Sequence, residues 1–145
     1  MKRFQFSLER VRRWRSEQAS LEELKLQQLR SEQARLGAAK REVQAESVRS
    51  AQQVLAQPSI DPLELTSLEC YQQHLRRRAY ELETLERQCA AKVVEQRQRV
   101  IEARRQFELL DRLHHKAWTE WVAAGNKEQE ELAAEMFLAK SVRER

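Results

Sequence analysis

The side chains here best suited to holding a metal or carrying a nucleophilic step are three histidines and two cysteines. Neither His74 nor the neighbours His114 and His115 build a metal site by spacing along one helix face. Cys70 and Cys89 form no paired-cysteine motif, and two cysteines make no disulfide framework, so both are expected as reduced helix residues. A phosphate-cradling loop needs clustered glycines, whereas Gly37 and Gly125 stand far apart. Glutamates beside histidines on a rod would lack the cavity that keeps water from a reaction. The expectation is a chain that recognises other proteins, with no catalytic residues, no metal and no cofactor.

The elements that carry these side chains follow from composition. Of 145 residues, 34% are charged, 6% are aromatic, and only two are glycine and two proline. So few turn residues exclude a β-rich or α/β domain, and the Glu, Gln, Arg, Leu and Ala that remain are helix formers. The expected fold is all-α: a two-stranded antiparallel coiled coil, or long helical hairpin, forming a single domain. No stretch approaches the ~20 apolar residues of a membrane span, and the basic N-terminus has no apolar run behind it. A cytoplasmic protein without membrane insertion is expected.

The one clear interruption is Gln57-Pro58-Ser59-Ile60-Asp61-Pro62. Pro62 suits a first helical position, Asp61 can cap, and Glu64 completes a capping box. Ser7 can cap the first helix, with Phe6 and Val11 spaced as a hydrophobic staple. These signals predict a helix over about residues 7–57, a turn over 58–62 and a second helix over about 63–124. Gly125-Asn126 reads as a joint before a C-terminal helical segment at about 127–142.

A polar helix of ~50 residues, roughly 75 Å long, needs a partner. The second helix supplies a 3-4 apolar spacing through Val93, Gln96, Val100, Ala103, Phe107, Leu110, His114, Ala117, Trp121 and Ala124. Upstream, Leu68, Tyr71, Leu75, Arg78, Leu82, Leu85 and Cys89 follow the same rule, and the two registers join by a stutter over 85, 89 and 93. The first helix repeats Leu29, Leu36 and Val43 by sevens, with Gln33 and Lys40 between.

A short connection makes the helices antiparallel, so partners should have numbers adding to about 120. Trp14 then meets Phe107, and Phe4 and Phe6 meet the region of Trp118. Residues from about 118 onward lack a partner, leaving Leu132, Ala133, Met136 and Phe137 as an uncovered apolar face. Basic clusters at 10–15, 76–78 and 97–105 raise nucleic acid as a partner. A DNA-reading basic region, however, is an uninterrupted basic helix feeding a parallel zipper. Phe4, Phe6, Val11 and Trp14 interrupt this one, so no specific nucleic-acid partner is expected.

The opening Phe4-x-Phe6-x-Leu8-x-x-Val11, followed by a basic and Glu-rich helix, resembles the FliJ family of flagellar type III export proteins. Trp118 and Trp121, then Glu128, Glu131, Ala134 and Phe137, look like that family's C-terminal segment. The resemblance implies a stalk that inserts its helical termini into the pore of a hexameric export ATPase, similar to the central stalk of rotary ATPases. It implies two further partners, the transmembrane export gate protein and the export chaperones, and a peripheral place on the export apparatus at the inner membrane. Phe4, Phe6, Leu8, Val11, Arg12, Arg15, Trp118, Trp121 and Phe137 would face the ATPase. Leu68, Tyr71 and Leu75 would face the gate. The equivalent stalk of a virulence-type secretion system, or a structural coiled-coil adaptor with no ATPase partner, remains an alternative.

Overall fold

The structure, a computed structural model, describes residues 2–143. It contains two helices, α1 (Glu9–Leu55) and α2 (Pro62–Arg143), and no strand among the described residues. None of the helices is long and apolar enough to cross a membrane among those residues. The helices differ from expectation at their ends, each for a local reason. α1 starts later than Ser7: the Leu8 carbonyl accepts the first helical bond from Arg12 N at 2.8 Å, and Glu9 N is tied to Phe6 O at 3.1 Å. At its other end Gln57 N closes a tighter bond to Val54 O, and Pro58, which cannot donate, ends the helix. The connection uses no residue with positive φ.

α2 begins as its cap demands. Asp61 Oδ1 accepts from Leu63 N at 3.1 Å, and the Asp61 carbonyl accepts from Leu65 N at 3.1 Å. Pro62 occupies the first helical position, where its missing N–H leaves nothing unsatisfied. At the other end the joint at Gly125-Asn126 is absent: α2 passes through both residues to Arg143. One glycine costs about 1 kcal/mol in a helix, and Ala123, Ala124, Lys127, Glu128 and Gln129 around it are all helix formers that outweigh it.

The chain divides into two compact units: Glu22–Val100, and the segments Met1–Leu21 with Ile101–Arg145. The first unit is a hairpin whose partner numbers do add to about 120, as in Leu29 with Cys89 and Ser47 with Gln72. Leu36, Leu82 and Cys89 are its buried centre, with Ala39 and Val43 packed against them. Along α2 the buried and half-buried positions here include Leu68, Gln72, Leu75, Ala79, Leu82, Glu86, Cys89, Val93, Gln96 and Val100, with Thr84 and Ala90 half-buried beside them. Those ten keep an unbroken 4-3 alternation, and Leu85 is exposed, so the stutter expected at 85–93 is absent. Tyr71, Arg78 and Leu85, assigned to the seam from sequence, lie outside it and are exposed.

Two of the residues that replace them, Gln72 and Glu86, are held by polar bonds between the helices. Gln72 Nε2 donates to Ser47 O at 2.8 Å and to Ser50 Oγ at 2.9 Å, while Ser47 Oγ donates to Gln72 Oε1 at 2.6 Å. Lys40 Nζ reaches Glu86 Oε2 at 3.4 Å. Gln96 Nε2 donates to the Glu22 carbonyl at 3.0 Å and to its carboxylate. Among the described residues no buried side-chain nitrogen or oxygen is left without a partner. A polar seam of this kind contributes little net stability, but any slipped register would strand these groups.

Candidate protein-docking site

The second unit pairs the start of α1 and the residues before it with α2 from Ile101 onward. Residues 2–6 have no regular secondary structure and lie along α2. What holds them is a set of rings. Phe4 meets His114, Trp118 and Trp121 edge-on, with centroids 5.5, 5.0 and 5.8 Å apart. Phe6 meets His114 at 5.1 Å, nearly perpendicular. Trp118 and Trp121 stack at 5.2 Å, and the Trp121 indole N–H donates to the Lys2 carbonyl at 3.1 Å. Edge-on and offset geometries are those that aromatic quadrupoles favour, and each pair adds about 0.5–1.5 kcal/mol beyond burial.

One turn further along, arginines lock α1 to α2. Arg12 donates to Asp111 Oδ1 through Nε at 3.0 Å and Nη2 at 2.9 Å, and its guanidinium sits 5.9 Å from the Phe107 ring centre. The bond to Asp111, and then the nearby charge of Glu9, raise the Arg12 pKa further. Arg15 bonds Gln106 Oε1 and lies over Trp14, 4.6 Å from its ring centre. Phe107 thus lies under Arg12, and Trp14 stands half exposed under Arg15.

Most of the residues assigned from sequence to an ATPase-facing surface come together in this unit, in three situations. Phe4, Phe6 and Trp121 are half-buried in the ring cluster, and Arg12 and Arg15 are engaged across the helix pair. Leu8, Val11 and Trp118 are exposed beside them. Phe137 is apart, on the overhang of α2. Every residue from 126 to 140 is exposed, and Met136 and Phe137 keep 74% and 73% of their surface in water. Before that stretch Trp121 and Val122 are half-buried and Gly125 is buried, and residues 2–6 reach Trp121 along α2.

An open groove of about 880 Å³ runs beside the rings, lined by Phe4, Phe6, Arg10, Arg13 and His114 among others. Sequence reasoning placed His114 on the seam but missed its part in this groove. The rule that partners add to about 120 puts it opposite Phe6, and Arg10 and Arg13 share one helix face by their spacing of three. The residues assigned to the export gate fare differently. Leu75 is only 7% exposed, packed between the helices of its own unit, and so presents no surface. Leu68 is half-buried, and Tyr71 is exposed with its hydroxyl donating to Glu46 at 3.1 Å.

Of the residues with chemical potential, His74 stacks on Tyr71 at 6.4 Å. Cys89 is buried with Sγ 3.5 Å from the Leu29 carbonyl, and Cys70 is exposed. Cys70 and His74 are one helical turn apart, as are Asp111 and His115, but these are pairs. Among the described residues no group of three or more His, Cys, Asp or Glu is arranged to hold a metal ion. No protein-family model, curated protein or solved structure matches this chain.

Proposed function

We propose that this chain is a two-stranded antiparallel coiled-coil stalk of the FliJ type. In this reading it docks the end built from residues 2–21 and 101–143 into the ring of a hexameric flagellar type III export ATPase. It works in the cytoplasm at the inner membrane, with the export gate and the export chaperones as further partners, and has no enzymatic activity of its own. The observation that carries the reading is the overhang of α2. Leu132, Met136, Phe137, Leu138 and Val142 are each more than half exposed on a helix that nothing in the described chain covers. Large exposed apolar surfaces on one element mark a partner interface, and arginines beside aromatic anchors are the usual composition of its strongest points. The N-terminal Phe-x-Phe-x-Leu pattern adds the family likeness.

The test uses side chains that the fold itself does not need. Leu8→Ala with Val11→Ala, and separately Phe137→Ala, change exposed residues and should leave far-ultraviolet circular dichroism unaltered. Each should weaken binding to the cognate export ATPase about tenfold or more, the usual cost of truncating an interface anchor. Wild-type protein with no affinity for that ATPase would remove the stalk reading and leave a coiled-coil adaptor.

A further inference from the structure

The groove and the overhang carry opposite charge, and one molecule cannot bring them together. Residues 2–15 hold Lys2, Arg3, Arg10, Arg12, Arg13 and Arg15 against Glu9 alone, a net +5. Arg12 and Arg15 are satisfied by Asp111 and Gln106, whereas Arg10 and Arg13 line the groove with no partner among the described residues. On the overhang, residues 126–137 hold Glu128, Glu130, Glu131 and Glu135 against Lys127, a net −3. All are exposed. Leu132, Met136 and Phe137 lie among these acids, so one helical segment offers carboxylates and large apolar side chains together.

Phe6 rests on His114 and Arg12 on Asp111, which sets the groove beside residues 111–114 of α2. At ~1.5 Å per residue of unbroken helix, the acids of the same chain lie roughly 20–35 Å further along. They cannot fold back without breaking α2, which is continuous to Arg143. An antiparallel copy has no such difficulty. A two-fold axis near Trp121 sets position 131 of one chain level with position 111 of the other, and 128 level with 114. It also places Trp118, 43% exposed, of both copies near the centre.

We propose that the groove beside Phe4, Phe6 and His114 is filled by the overhang of a second copy of this chain, in a reciprocal two-fold pair. Carboxylates of one chain meet Arg10 and Arg13 of the other, while its Leu132, Met136 and Phe137 fall level with positions 105–110, beside Phe107 at the end of the groove. Such an interface is self-complementary, as two-fold pairing requires. The pair and the stalk reading use the same overhang, so a paired chain would have to open before docking the ring; the test of pairing uses the purified chain alone and leaves the ring out.

Sedimentation equilibrium at low ionic strength, from low to high micromolar protein, should show the mass rising from 17.3 kDa to twice that value. Added salt should reverse the rise. The double change Arg10→Glu with Arg13→Glu should weaken the pair at least about tenfold. So should Glu128→Lys with Glu131→Lys and Glu135→Lys, which alters only exposed residues and so tests the pairing even if the first variant folds poorly. An equimolar mixture of the two variants should pair again. A wild-type chain that stays at 17.3 kDa throughout overturns the proposal. So does a dimer indifferent to both charge reversals, or variants that fail to pair when mixed.

Discussion

Truncating Leu82 and Leu85 in turn separates the register seen in the structure from the one expected with Leu85 in the seam. Leu82 is 2% exposed and packs with Leu36 and Cys89, whereas Leu85 is 43% exposed. Leu82→Ala forfeits a nearly complete transfer free energy, about 2 kcal/mol or more. It also leaves a gap, though one that a two-helix seam open on both sides can partly collapse. A total of about 2–3 kcal/mol is expected, near the lower end for buried leucines. Leu85→Ala removes side chain that is nearly half in water and encloses no cavity, so about 1 kcal/mol or less is expected. With a urea slope of about 2 kcal/mol per molar, Leu82→Ala should lower the unfolding midpoint by about 1 M and Leu85→Ala by less than half as much. Urea melts followed by far-ultraviolet circular dichroism measure both. Equal losses would mean that Leu85 also faces the partner helix, and the continuous 4-3 register would be wrong.

Acid should weaken the Glu22–Val100 hairpin through two carboxylates. Glu22 is held below its ordinary value of 4.5 first by the bond from Gln96, and Glu46 first by the bond from Arg49. Groups depressed in the folded state stabilise it above the ordinary carboxylate value and cease to do so as they protonate. The urea midpoint should therefore fall as pH drops below about 4.5, and Gln96→Leu should shrink that fall; an unchanged acid response in the variant would contradict the role given to Gln96. Gly37→Ala should raise stability by about 0.5–1 kcal/mol, since Gly37 is helical and an added Cβ meets Arg41 Nη1 at an ordinary 3.7 Å. A destabilised variant would show that α1 needs glycine there. Hydrogen exchange at concentrations below any self-association should be fastest in α2 at residues 126–140, which nothing covers, and slowest around Leu75–Val100. Equal protection would mean that the overhang is covered.

The turn and the antiparallel pairing were legible because their signals are local and unambiguous. Pro58 stops one helix, Asp61-Pro62 starts the next, and a short connection leaves one arrangement. The aromatic end was legible too, since Phe4 and Phe6 fall opposite His114 and Trp118 once the turn is placed. The upstream register was not, because Leu68, Leu75, Leu82 and Cys89 belong equally to two stripes. Choosing the second member of each heptad by apolarity selects Tyr71 and Leu85. The fold selects Gln72 and Glu86, whose hydrogen bonds to Ser47, Ser50 and Lys40 show only once both helices are in place. The family resemblance alone assigns Leu75 to the gate, although it lies in the seam in either register, and the fold encloses it. Gly125-Asn126 misled because a glycine that ends a helix and one that is carried through it have the same sequence signature. What decides is the strength of the formers on either side.

Deleting the overhang shows whether it is the element that docks. A chain ending at residue 124 keeps every ring contact and ion pair between α1 and α2, so its thermal unfolding should match the full chain. By the proposed function, calorimetric titration into the cognate hexameric export ATPase should show binding for the full chain and a loss of at least about tenfold for the shortened one. A shortened chain that binds the ring as tightly as the full one would contradict the assignment of the overhang as the docking element.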